Sequence, residues 1–193
     1  MIASAKEVVE FLLEGNRRFA GSFMSHPHQD AARRAECTGG QKPVAAVLGC
    51  ADSRVPPEVL FDCGIGDIFI IRNAGTVLDE ASVASIEYAV EHLNVPLVMV
   101  LGHTSCGAVT AAVTGSEAPG ALGSLLDTVR VKCEYGAGVL SPEAIDSVIR
   151  TYTVRIASDL LYASETVRGA VEKGNCSIVA ACYSLSDGLV TVL

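Results

Sequence analysis

Continuous apolar runs, not alternating ones, mark the first half of the chain: Val44–Leu48, Ile68–Ile71 and Leu97–Leu101 carry almost nothing polar. Strands covered on both faces read this way, whereas a half-exposed strand alternates. Between the second and third runs, residues from Ser82 to Leu93 recur at helical spacing. Strands separated by helical crossovers predict a mostly parallel sheet with right-handed connections. A later run, Ile178–Tyr183, predicts another buried strand. The turn residues Ser186-Asp187-Gly188 follow it, so Leu189–Leu193 is expected to return antiparallel as an edge strand.

The ends of the chain differ from this core. Ser4-Ala5-Lys6-Glu7 reads as a capping box, and Val8, Phe11, Leu12, Gly15 and Phe19 continue it at helical spacing. The spacing predicts an amphipathic helix that opens the chain. Polar, small and basic residues from Gly21 to Gly40 form an expected connector, in which the proline of His26-Pro27-His28 prevents helical placement of the two histidines and favours a solvated linker. Mostly helical patterns follow Gly107, with breaks near Gly115–Gly120 and Gly136–Pro142. No domain boundary is visible, so the expected organisation is one α/β domain over residues 1–193, with a helical arm and connector over 1–40 and the sheet core over 41–193.

Composition narrows the function classes. A chain of 193 residues can bury one full core. Half of it is hydrophobic and only 19% charged, so some apolar surface is expected to need a partner subunit. A net charge of −8 argues against general nucleic-acid or acidic-membrane binding, which relies on basic patches. No apolar stretch reaches the roughly 18 residues of a membrane span, and Met1–Glu10 does not resemble a signal peptide. Seven cysteines, an odd number, fit reduced thiols and a cytoplasmic location better than a secreted disulfide framework.

The chemistry concentrates in two segments, Gly49-Cys50-Ala51-Asp52-Ser53-Arg54 and Gly102-His103-Thr104-Ser105-Cys106-Gly107. Each follows a predicted buried strand. Parallel α/β sheets bind ligands outside the carboxyl ends of their strands, so the two segments are expected to meet. Cys50, His103 and Cys106 then offer two thiolates and an imidazole, a set suited to tetrahedral zinc with one position left for water. Buried thiols and a core histidine are the ordinary alternative for each residue alone; the combination at one sheet edge argues for ligands. Asp52 and Arg54 can pair beside such a metal. Asp52 then either orients the reacting oxygen from outside the coordination sphere or takes the fourth position itself. Deaminase and His-Glu-x-x-His zinc motifs are absent, and Gly64-Ile65-Gly66 precedes a strand where a dinucleotide fingerprint would follow one.

At these residues the sequence resembles the β-carbonic anhydrase family, whose Cys-x-Asp-x-Arg and His-x-x-Cys-Gly signatures stand here as CADSR and HTSCG. The similarity extends through FDCGIGDIFIIRNA at 61–74 and Ile86-Glu87-Tyr88-Ala89, covering about residues 41 to 113. The resemblance implies one zinc per chain on Cys50, His103 and Cys106, with Asp52 and Arg54 as the catalytic dyad and Asp52 as a conditional fourth ligand in a closed state. It further implies that Gln41 and the Gly107 N–H bind bicarbonate, and that Phe69, Ala74 and Tyr88 line the carbon dioxide pocket. Read alone, Phe69 and Tyr88 are equally ordinary core residues.

The activity implied is reversible hydration of carbon dioxide by a metal-bound hydroxide. The implied assembly is a homodimer or larger homo-oligomer, with sites near the subunit boundary and the first helix reaching onto the partner. Gln41 matches the branch with an accessible zinc, while Cys63 departs from the glutamine found in many relatives. No residue identifies itself as a proton shuttle; His92 sits in a predicted helix with no evident route to the metal. Two alternatives stand beside this reading, a related zinc hydrolase acting on an analogue such as carbon disulfide and a nonenzymatic zinc protein with Asp52 permanently bound to the metal.

Overall fold

The computed structural model of the chain describes residues 4–133 and 140–193. Of the expected helix breaks, the part at 136–139 lies outside the described residues, as do the first three residues of the chain.

Five strands form one sheet in the order β2-β1-β3-β4-β5. They are β1 (Ala45–Cys50), β2 (Ile68–Asn73), β3 (Leu97–His103), β4 (Ser177–Tyr183) and β5 (Val190–Val192). The first four pair in parallel, and β5 pairs antiparallel with β4 at the edge, as the turn at 186–188 predicts. Every residue of the central strands β1 and β3 is buried, which is why their sequences carry no polar alternation. Both run further than their apolar cores, through Gly49-Cys50 and Gly102-His103, because ladder hydrogen bonds belong to the backbone and do not stop where side chains turn polar.

Eight α-helices accompany the sheet among the described residues: α1 (Ala5–Ala20), α2 (Ala31–Glu36), α3 (Pro57–Leu60), α4 (Glu80–Glu91), α5 (Gly107–Val113), α6 (Gly120–Cys133), α7 (Pro142–Ala163) and α8 (Glu165–Glu172). None is long and apolar enough to cross a membrane. Helix α1 carries the predicted capping box, with the Glu7 N–H donating to Ser4 Oγ and Glu7 accepting from the Ser4 N–H.

Much of its apolar face packs within the chain: Val8 and Leu12 are buried in the core and Phe19 lies 6.4 Å from Tyr183, while Phe11 stays 42% exposed. Full burial of Leu12 alone contributes about 2 kcal/mol. Asn16 completes the seam: its amide donates to the Leu60 and Gly188 carbonyls, and its oxygen accepts from the Val190 N–H.

The connector is likewise no free linker. Buried Asp62 accepts from Arg18 Nε (2.7 Å), from the Ser25 N–H and hydroxyl, and from the His26 N–H. Asp67 holds His28 Nδ1 at 2.8 Å and Arg33 Nη2 at 3.2 Å. Sequence spacing hides these contacts because both carboxylates lie more than thirty residues from their partners.

Candidate metal centre

The ends of β1 and β3 are neighbours, so Cys50 and His103, each the last residue of its strand, come together. Cys106 follows His103 through a turn in which Ser105 takes a left-handed conformation (φ 55°). The Cys50 and Cys106 sulfurs and a ring nitrogen of His103 lie within 4.8 Å of one another. All three residues are buried, with 7%, 3% and 1% of their surface exposed for Cys50, Cys106 and His103. Among the described residues no other trio of His, Cys, Asp or Glu comes together this way.

The histidine supplies the test of whether a metal fits. Its Nδ1 lies 2.9 Å from the Thr104 carbonyl oxygen, which can only accept, so Nδ1 carries the proton. The Nε2 lone pair is then bare, and Nε2 is buried without a hydrogen-bond partner. A buried polar atom left this way costs free energy unless something takes it, and a cation bound with two neighbouring thiolates does so. Without a cation, the contact with Cys106 lowers the Cys50 pKa, and the same contact, followed by burial, raises that of Cys106. The pair therefore keeps one proton, which a metal would displace.

One backbone donor holds a sulfur directly. The Gly75 N–H donates to Cys50 Sγ at 3.4 Å from a left-handed glycine (φ +72°), where an added Cβ would meet Ala108 Cβ at 3.0 Å. Cys106 stands at the N-cap position of α5 with no side-chain capping hydrogen bond, though the nearby Val109 and Ala108 N–H groups act against the rise of its pKa. Behind His103, Gly102 packs against α7 so closely that a Cβ would come within 2.1 Å of Thr153 Oγ1.

Asp52 lies outside the trio. Its Oδ1 accepts from Arg54 Nε (2.9 Å) and from the Arg54 N–H (2.9 Å), and its Oδ2 accepts from Arg54 Nη2 (2.7 Å). This fork holds the Asp52 carboxyl well below the usual carboxylate range despite partial burial.

The remaining expected residues divide by position. Ala74 directly follows Asn73, the β2 residue level with Cys50, and Gly107 opens α5 with clear space where a side chain would stand. Phe69 pairs with Ala46, four residues back along β1, or roughly 13 Å from the level of Cys50. Tyr88, 47% exposed, stacks 6.1 Å from Phe69 and 5.2 Å from His92. Gln41 is exposed ahead of the amino end of β1, while Cys50 closes its carboxyl end. Within one chain, then, Gln41, Phe69 and Tyr88 stand away from the trio, because alignment along a parallel strand separates what sequence order leaves close.

Two supporting residues escape the motifs. Arg72 donates to the Cys50 and Asp52 carbonyls, and Asp146 of α7 accepts the Ser105 N–H at 2.8 Å. Arg72 ends an apolar strand run, a visible anomaly; Asp146, 41 residues from its partner, carries no sequence signal.

A carbonic anhydrase family model matches residues 45–190, spanning both ligand segments and the whole sheet up to the first residue of β5. The chain belongs to the β-carbonic anhydrase family. Carbonic anhydrase 2 of Mycobacterium tuberculosis is 40% identical over 183 residues, covering 92% of this chain and 87% of that protein. The carbonic anhydrase of Mycolicibacterium smegmatis is 40% identical over 185 residues, covering 93% and 88%. Among solved structures, the Coccomyxa β-carbonic anhydrase in complex with acetazolamide is similar at a TM-score of 0.76 and 29% identity, covering 94% of this chain and 84% of that one. For a β-carbonic anhydrase the trio at the carboxyl ends of β1 and β3 is thus an arrangement able to hold a metal ion on an enzyme fold.

Proposed function

We propose that the chain catalyses the reversible hydration of carbon dioxide to bicarbonate and a proton, with one zinc ion held by Cys50, His103 and Cys106. The observation that carries this reading is the bare, buried His103 Nε2 facing two cysteine sulfurs, with the Asp52–Arg54 pair beside them. Two thiolates and a neutral imidazole suit zinc and leave one coordination position free. When bound, zinc supplies Lewis acidity that makes water a stronger acid and a usable nucleophile near neutral pH.

The chain's own residues do the rest. Asp52, kept ionised by Arg54, accepts a hydrogen bond from the reacting water and turns its lone pair toward carbon dioxide. Its conditional role as fourth ligand requires the fork to Arg54 to open. The Gly107 N–H, at a helix start, donates to the oxygen on which charge develops. Ala74 borders the site beside Asn73.

Gln41, Phe69 and Tyr88 supply an amide donor and an apolar wall to the site of a neighbouring subunit, which makes the working unit a homodimer or larger assembly. Their distance from the trio of their own chain and the exposed ring of Tyr88 support that arrangement. Residues 1–40 serve as an arm clipped to the core over 41–193. The seven free cysteines suit a reducing, cytoplasmic setting.

Stopped-flow carbon dioxide hydration by zinc-loaded protein, with metal analysis of the same sample, tests the reading. The expected result is one zinc per chain and a rate far above buffer. A fully zinc-loaded protein with no hydration activity would overturn it.

A further inference from the structure

We infer that Arg72 is a positioning residue for the reaction: its guanidinium bridges the backbone of a metal ligand and the backbone of the carboxylate beside it. The inference rests on the function proposed above. Arg72 lies on the edge strand β2, level with Gly49, one residue short of the end of β1. Its Nε donates to the Cys50 carbonyl at 2.8 Å and its Nη2 to the Asp52 carbonyl at 2.6 Å.

The backbone itself cannot do this. The ladder between β1 and β2 ends with the Ala51 N–H on the Asn73 carbonyl at 2.8 Å. Beyond it, residues 52–54 leave the sheet, and the backbone bonds found there are local, such as Val55 N–H to the Asp52 carbonyl at 3.1 Å. Cys50 and Asp52 nevertheless have to keep one mutual geometry, because one side chain holds the metal and the other orients the water attacking beside it. A planar fork with fixed spacing between its nitrogens sets the distance between two carbonyls, which a single ammonium does not. Arg54 fixes which way the Asp52 carboxylate points, and Arg72 fixes where its backbone stands. Two arginines outside the ligand set thus constrain one carboxylate from its two ends.

A role through Asp52 differs from plain support of the sheet edge in one measurable way: it depends on the Asp52 carboxylate. The test uses zinc-loaded full-length protein as wild type, Arg72→Ala, Arg72→Lys, Asp52→Asn and the Arg72→Ala/Asp52→Asn double variant. Hydration kcat and KM, zinc content and hydrogen exchange of the peptide spanning residues 50–55 are measured for each.

Arg72→Ala should lower kcat about 10- to 100-fold, the usual loss when an outer partner of a metal site is removed. KM should stay within about twofold and zinc at one per chain, because the lost interaction acts in the transition state and not on the ligands. Arg72→Lys should fall between wild type and Arg72→Ala. In the Asp52→Asn background the same Arg72→Ala change should cost less than about threefold, since residues acting through one group are not additive. Exchange should quicken at 50–55 and not at 103–107.

An equal factor in both backgrounds would overturn the inference in favour of general support. A raised KM with unchanged kcat would overturn it in favour of direct anion binding, and loss of zinc in favour of metal retention. An inactive zinc-loaded wild type would instead overturn the functional reading, and this one with it.

Discussion

The two loops that carry the proposed ligands meet at one centre but are held differently. The loop at 103–106 is tied to distant segments at three points: the Thr104 N–H donates to the Tyr183 carbonyl, the Leu185 N–H to Thr104 Oγ1, and the Ser105 N–H to Asp146. His103 and Cys106 are deeply buried and α7 presses on Gly102 behind them. The loop at 50–54 is held past Cys50 by the side chains of Arg72 and Arg54, and Ser53 and Arg54 are exposed. One loop is a wall tied into the sheet and α7; the other is an arm whose carboxylate is set by two arginines and not by the ladder.

The largest effect should not distinguish the loops. Cys50→Ala and Cys106→Ala should each abolish metal binding and reduce hydration to the buffer rate, since two ligands hold a catalytic ion poorly. Buried Cys63, whose thiol burial pushes up to about 12, should tolerate Cys63→Ala with full metal content. Full zinc retention in Cys50→Ala would remove the first loop from the centre.

The loops separate in the next two variants. Asp52→Asn keeps the shape but weakens the fork to Arg54, so zinc should stay bound while kcat falls about 10- to 100-fold between about pH 6.5 and 9.5. Undiminished rates throughout that range would deny Asp52 its role. Asp146→Ala removes one of several supports from the fixed loop and should cost about 1 kcal/mol in urea unfolding. Its hydration rate should stay within about threefold, because a tenfold loss needs some 1.4 kcal/mol at the transition state. A larger kinetic loss than that of Asp52→Asn would reverse the assignment of wall and arm.

The smallest effect on the centre should come from the clip on the connector. Burial alone would raise the Asp62 pKa, but its hydrogen bonds from Arg18, Ser25 and His26 outweigh that and hold it well below normal. A carboxylate whose pKa is depressed on folding stabilises the fold above its unfolded pKa of about 4, and that stability is lost as pH falls further. Thermal melts should therefore show an acid limb below about pH 4 that is shallower in Asp62→Asn, with hydration at neutral pH little changed. An identical limb in both proteins would place the acid sensitivity elsewhere.

Much of this architecture is legible in residue order, and for a physical reason. Burial on both faces writes itself as uninterrupted aliphatic runs, so β1, β3 and the parallel order follow from pattern, and the meeting of Cys50, His103 and Cys106 follows from their place at strand ends. The capping box of α1 is local and equally readable. What pattern cannot carry is pairing across long separations. Asn16 with Val190, Arg18 with Asp62 and Ser105 with Asp146 are single polar contacts between distant segments, and each residue looks unremarkable where it stands. The same limit hides where α1 docks, since Asn16 reaches the Leu60 carbonyl at the end of α3 and the Gly188 carbonyl in the turn before β5. It also hid the separation of Phe69 and Tyr88 from the trio, because register along a strand is a property of pairing and not of sequence.

The placement of Cys50 at the end of β1 and Cys106 just past β3 has a consequence for how the chain unfolds. An ion bound by both closes a loop of roughly 55 residues, and a tether of that span removes about 4 kcal/mol of chain entropy from the unfolded ensemble in the polymer estimate. Strand β2 and helix α4 lie inside that loop; α1, α6, α7 and α8 lie outside it. Such an ion would therefore also be a staple on the β1–β3 part of the sheet, and stripping it with a chelator should let β1 and β3 part at lower denaturant while the outer helices lose no tether of their own.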